Sequence, residues 1–390
     1  MKIKDFLKIE INPNRIFGLD LLRAFAILFV VFGHGRGLLP VELSNPQRFF
    51  IFDGVTIFFV LSGFLIGGIL IKIVEKNKPS KALLVDFWIR RWFRTLPNYF
   101  LVLLILVGLS LVLNDNFTLL SVNRFFIFSQ NLFSPHPSWF FPEAWSLSVE
   151  EWFYLITPVL LLLTIKYLVN VPKKAIFLVV FLILIATLLF RYYRYSELGI
   201  TTMEEWDEFF RKQVFTRLDS LMFGFLGAYL NYYFQEKWIA YKNYFLVLGI
   251  ALFVSIKAIE LSLVFPIAGF YECVFSFSVT SMATLFLLPY LSNLKSGKGF
   301  AAKGITVISL ISYSLYLIHL SIVQTFIIFR IDWEHLIRNE YTMKLVMYFT
   351  YWLISILGSI ILFKYFETPT MKWRDNEKVK KAIARLNNKG

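Results

Sequence analysis

Ten apolar runs, most of them about 20 residues long, alternate with short charged or aromatic-rich segments, and this alternation restricts the chain to very few folds. About 20 helical residues, rising 1.5 Å each, cross the roughly 30 Å hydrocarbon core of a bilayer. In lipid every backbone N–H and C=O must be satisfied within the protein, which leaves helices or closed barrels, and these runs are far too long for barrel strands. The sequence predicts an all-α polytopic membrane protein with helices near 18–38, 49–72, 96–113, 147–168, 175–193, 218–234, 244–262, 268–291, 305–329 and 343–366. Composition agrees, with 17% charged residues against about 25% in soluble domains.

The net charge of +14 is distributed by topology. With the N-terminus inside and ten spans, 27 of the 40 Lys and Arg fall on the cytoplasmic side, 12 on the other side, and Arg23 lies within the first span. This asymmetry is the positive-inside signal and predicts both termini in the cytoplasm. It argues against a nucleic-acid partner, which would need the charge gathered on one domain, and makes the lipid bilayer the first partner. The multi-pass pattern fits a bacterial-type cytoplasmic (inner) membrane. The start, MKIKDFLKIEINPNR, has the basic flank of a signal peptide, but the run after it is too long and lacks a small-residue cleavage site. It reads as an uncleaved anchor. The simplest organisation is one domain over 1–390, with a cytoplasmic N-terminus (1–17) and a short basic cytoplasmic tail (367–390). The aromatic-rich outer segment 114–146 suits an interfacial or re-entrant element. Cys273 is the single cysteine, and His34, His136, His319 and His335 are widely spaced, so no metal site is expected.

Ionisable residues inside a span are costly and by default face a bundle interior or a wet cavity. The first span, GLDLLRAFAILFVVFGHGRG, carries Asp20, Arg23 and His34. Eleven residues at about 100° each return Arg23 and His34 to within roughly 20° of one face, about 16 Å apart along the axis. Gly33 and Gly35 leave room beside the imidazole. The structural alternative has Arg23 pairing with Asp20 at i,i+3 while His34 caps the helix. In DFWIRRWFRTLP, Arg90, Arg91 and Arg94 offer guanidinium forks suited to phosphate, or to headgroups if they only anchor a helix. In WSLSVEEWFYLITP, Ser146 or Ser148 with Glu150 or Glu151 resembles a helix cap. Two adjacent carboxylates point about 100° apart, so at most one should face the bundle interior. By depth Glu150 lies near His34, where it could orient the imidazole as a general base. Arg217 and Asp219 open the sixth span, with Gly224 and Gly227 at close-packing spacing; FFVLSGFLIGG reads likewise as a packing surface around Ser62 and Gly63. Tyr313, Tyr316 and His319 lie mid-membrane in SYSLYLIH, where polar groups more often join helices than do chemistry. Asp20, Arg217, Asp219, Tyr316 and His319 are acceptor-site or structural candidates.

Together GLDLLRAFAILFVVFGH (18–34), FFVLSGFLIG (58–67), FWIRRWFRTLP (87–97), WSLSVEEWFYLITP (145–158), TRLDSLMFGFLGA (216–228), SYSLYLIH (312–319) and YFETP (365–369) resemble the acyltransferase-3 family of integral membrane O-acyltransferases. They occur in the family's order along the whole chain. The resemblance implies transfer of an acyl group, usually acetyl from coenzyme A, to a hydroxyl of a carbohydrate or other cell-envelope acceptor. Acyl-CoA would be a donor substrate, with no permanently bound cofactor. It also implies Arg23 and His34 as the essential pair of the first helix, Arg91 and Arg94 as the family's RxxR, and Glu150 as the first Glu of its SxE segment. Some relatives carry an appended esterase-like domain; ending 24 residues after Phe366, this chain looks like the stand-alone form.

The mechanism expected from residues and resemblance together has Arg91 and Arg94 holding the donor's phosphates, assisted by Arg90, while the thioester reaches His34. There the imidazole acts as general base or briefly carries the acyl group, the base being preferred because one base suffices. The alternatives are a secondary transporter or flippase for a lipid-linked sugar, which would show internal repeats and broken helices, and a scaffolding membrane protein.

Overall fold

A computed structural model describes residues 9–78, 80–262 and 268–374. Ten principal helices form: α1 (Phe17–Gly35), α2 (Gly54–Lys76), α3 (Lys81–Leu113), α4 (Ala144–Tyr167), α5 (Pro172–Leu198), α6 (Leu218–Tyr233), α7 (Lys242–Ser262), α8 (Ser276–Leu291), α9 (Gly299–Ile318) and α10 (Glu340–Leu362). The described residues contain no β-strand, and nine of their helical stretches are long and apolar enough to cross a membrane. The protein is an all-α multi-pass membrane protein. The remaining helix, α6, has 16 residues, about 24 Å at 1.5 Å per residue, and is enclosed by α2, α5 and α8.

Glycine explains how α6 fits there. A Cβ on Gly63 of α2 would stand 1.8 Å from the carbonyl oxygen of Leu221, and one on Gly224 of α6 would stand 2.0 Å from that of Val60. The two backbones touch where side chains would hold them apart. The expected close-packing surfaces are therefore present, but Ser62 turns away from this contact.

Buried charges fasten the same region. Asp219 and Arg191 of α5, both buried, pair at 2.7 Å, and Ser278 donates to the same carboxylate oxygen at 2.6 Å. Arg217 lies 4.0 Å from the Phe277 ring centroid and 3.8 Å from Asp53. Asp53 itself caps α2 by accepting from the N–H groups of Val55 and Thr56. Both Arg217 and Asp219 thus join helices.

Two local expectations are corrected. Helix α3 begins at Lys81, not near 96, and continues through Pro97 for 33 residues, about 50 Å, so the arginines of the supposed inner loop stand on a continuous helix. Helix α4 begins at Ala144 with no side-chain cap; Ser148 instead donates to the Phe128 carbonyl at 2.5 Å, and Trp152 donates to the same oxygen at 2.9 Å. These two bonds accompany a left-handed Phe128 (φ 56°), which folds the outer segment back so that Val122, Phe125, Phe140 and Phe141 are buried. Most of the basic tail, 375–390, lies outside the described residues.

Candidate active site

One cavity of about 360 Å³ opens inside the bundle. Helix α1 contributes Arg23, α2 Ser62, α3 Arg91 and Arg94, α4 Ser146 and Glu150, and α9 Tyr313 and Tyr316; Glu367 enters from the turn after α10. Arg91 and Arg94 share the cavity because i,i+3 positions share a helical face. Arg90 is rotated about 100° from Arg91, pairs with Asp86 at 2.9 Å on the exposed side, and does not line the cavity. Its expected part in donor binding is not supported by this placement.

Among the described residues the guanidinium groups of Arg23, Arg91 and Arg94 make no hydrogen bond and no ion pair within 4.0 Å, and the buried Nε of Arg91 has no partner. Asp20 makes no ion pair with Arg23, though its field reaches it: the carboxylate binds Arg15 and accepts the Ser309 hydroxyl at 2.8 Å. Glu150 accepts from Ser62 at 2.7 Å and from Tyr154 at 3.2 Å, and its field reaches Arg23 and Arg94. Glu367 accepts from Asn98 at 2.9 Å and Ser314 at 2.6 Å, with its field on the same two arginines. Three cations and two carboxylates therefore line the space, together with the hydroxyls of Ser62, Thr95, Ser146, Ser309 and Ser312 and a set of aliphatic and aromatic groups. Uncompensated charge at that depth is costly unless an anion joins it.

Both adjacent carboxylates of α4 point inward, contrary to expectation. Glu151 accepts from Trp92 at 3.1 Å and Thr95 at 2.8 Å, while Tyr313 donates to the Thr95 carbonyl at 2.7 Å. These bonds fix the rotation of α3, and with it the direction of Arg91 and Arg94.

His34 does not line the cavity, and it does not meet Glu150. Its Nδ1 lies 2.8 Å from Nε2 of His319, the rings stacked at 5.0 Å between centroids. His319 begins a π-helical stretch, His319–Ile327; its Nδ1 approaches the carbonyls of Leu315 at 3.0 Å and Tyr316 at 2.8 Å. Between this pair and the cavity stands Tyr316, whose hydroxyl is 2.6 Å from that of Ser146 and donates to the Glu143 carbonyl at 3.0 Å. Glu143 in turn accepts from the N–H and hydroxyl of Ser321. The arrangement is two polar centres along α1, a cationic cavity at the Arg23 end and an imidazole pair at the other, with Tyr316 between. Sequence reasoning did not single out Glu143 or Glu367; the available signal was a carboxylate bordering an apolar run, in FPEAW and YFETP.

A polytopic bundle of long apolar helices that encloses an arginine-lined cavity, with a histidine pair at the other end of α1, is an integral membrane protein. The family model described as an acyltransferase domain, acyltransferase family 3, matches residues 16–364, and the chain belongs to that family. It is similar to the O-acetyltransferase OatA of Staphylococcus aureus, 26% identical over 95% of this chain and 60% of the relative. It is also similar to the peptidoglycan O-acetyltransferase OatA of Listeria monocytogenes, 34% identical over 42% of this chain and 26% of the relative. The chain thus spans 60% or less of the length of these two relatives. No solved structure matches it.

Proposed function

We propose that this protein is a membrane O-acyltransferase that moves an acyl group, acetyl by analogy with its relatives, from cytoplasmic acyl-CoA to a hydroxyl of a cell-envelope carbohydrate. The observation that carries this reading is the set of three arginines without ion-pair partners around one cavity. Guanidinium groups bind phosphate oxygens through paired N–H donors, and the diphosphate and 3′-phosphate of coenzyme A supply such oxygens.

In the topology that the charge asymmetry favours, both termini lie in the cytoplasm of a bacterial-type inner membrane, and the arginines face the donor's compartment. The pantetheine arm extends past Ser62 and Glu150 toward Tyr316. His34, about 16 Å along α1 from Arg23, takes the proton of the acceptor hydroxyl as general base. Since Tyr316, held against Ser146, lies between the cavity and the histidine pair, the thioester and the imidazole would meet only after the tyrosine turns aside. The family favours this reading over a carrier.

The test is the mass of envelope glycans from cells with and without the protein, paired with acyl-CoA consumption by the purified full chain. Loss of one acyl mass from a defined sugar, with acceptor-dependent release of free coenzyme A, is the expected result. Unchanged glycan masses together with no CoA release would overturn it.

A further inference from the structure

We infer that His319 is a positioning residue that fixes which nitrogen of His34 is basic. The inference deepens the proposed reaction and rests on His34 being its base, but the bonding argument stands on geometry alone. A carbonyl oxygen only accepts hydrogen bonds. The Nδ1 of His319 lies within 3.0 Å of two carbonyls, those of Leu315 and Tyr316, so Nδ1 carries that ring's hydrogen. In a neutral imidazole the other nitrogen then has only a lone pair. The Nε2 of His319 therefore accepts, and the atom 2.8 Å away, Nδ1 of His34, must donate. This leaves Nε2 of His34 as a bare lone pair, the atom free to receive a proton.

Surroundings lock the chain of bonds in place. His319 is fully buried. Tyr316, whose carbonyl takes one of the two bonds, is held through its own hydroxyl by Ser146 and the Glu143 carbonyl. Gln324 donates to the His34 carbonyl at 3.2 Å and fixes the backbone beneath the ring. A serine-hydrolase triad gives the orienting task to a carboxylate; here a second neutral imidazole takes it, its direction set by helix backbone. During transfer the acceptor O–H proton goes to His34 Nε2 as the new O–C bond forms. The C–S bond of the thioester breaks, and the proton ends on the departing sulfur of coenzyme A. While His34 holds it, the imidazolium keeps Nδ1–H directed at His319 Nε2, which stabilises the charge.

The chain has four histidines, so ¹⁵N-histidine labelling of the full protein in bilayers gives a spectrum simple enough to assign with His34→Gln and His319→Gln. Both His34 and His319 should carry hydrogen on Nδ1, with Nε2 unprotonated. A His34 ring protonated at Nε2 instead would overturn the inference, whatever the activity. In kinetics, His319→Ala should lower kcat by about 10²-fold while donor KM stays within about two-fold, since the arginines are untouched. His319→Gln, whose amide carbonyl can accept from Nδ1–H, should recover part of that loss. Wild-type kcat in His319→Ala would equally refute the inference, and if that variant does not fold, the wild-type spectrum decides. Tautomers as assigned, with no acyl transfer by any preparation, would uphold the positioning and defeat only the functional reading.

Discussion

Ser62 on α2 donates its hydroxyl to Oε1 of Glu150 on α4 at 2.7 Å, and the carboxylate so held acts on Arg23 and Arg94 rather than on His34. Glu150 thus belongs to the arginine-lined cavity. Glu150→Gln keeps the shape and the bond from Ser62 but removes the charge that steadies two guanidinium groups. With one negative charge fewer beside the arginines, an anionic donor should bind more tightly, so donor KM should fall about 3- to 10-fold, the equivalent of roughly 1 kcal/mol, with kcat little changed. A fall in kcat at constant KM, read from steady-state kinetics, would move Glu150 to the reacting atoms.

The three arginines of α3 separate by direction. Arg91→Ala and Arg94→Ala should each raise donor KM about 10-fold or more, the loss of a charge-assisted contact of roughly 1.5–3 kcal/mol. Lysine should rescue only in part, lacking the planar fork. Arg90→Ala should sit near wild type, because an exposed i,i+4 pair contributes only about 0.2–0.5 kcal/mol. Equal effects at all three positions would point to a general membrane anchor.

His34→Gln preserves volume and a hydrogen-bond donor but cannot accept a proton at neutral pH. Transfer should drop by about 10²–10⁴-fold while acyl-CoA still binds, because the arginine cavity lies at the other end of α1. Activity within a few-fold of wild type would exclude the imidazole as base.

Asp219 bonds to Arg191 and Ser278 inside the helix contacts. Asp219→Asn removes one partner of a buried pair and should destabilise the fold by about 3–5 kcal/mol, lowering the thermal midpoint in detergent. Surviving folded protein should keep wild-type donor and acceptor KM. A raised acceptor KM with an unchanged midpoint would assign Asp219 to acceptor binding instead.

Depth along α1 was legible in the sequence, whereas the depth of Glu150 and the rotation of each helix were not. Helical rise places Arg23 and His34 at opposite ends of α1, and the apolar run lengths give ten helices. Which residue faces which depends on how each helix is turned against its neighbours, and that is set by contacts such as Gly63 on Leu221 and Trp92 on Glu151. The depth inferred for Glu150 suggested it beside His34, whereas packing delivers His319. Local spacing suggested Asp20 for Arg23, but Arg15 reaches Asp20 first. The early start of α3 was hidden because its first turns are charged, and hydropathy registers the apolar part of a helix rather than its full length.

The hydroxyl contact between Tyr316 and Ser146 has a bioenergetic consequence. Under the proposed topology a water-accessible cavity rises from the cytoplasm, and a proton-accepting histidine faces the other side. Such a molecule could act as a conductor in an energised membrane. In the proposed reaction Tyr316 would insulate the two halves, opening for each turnover and closing before protons follow. On that reading the tyrosine would protect the membrane potential as well as admit the acyl group, and smaller side chains in its place would make cells leaky as well as poorly acylated.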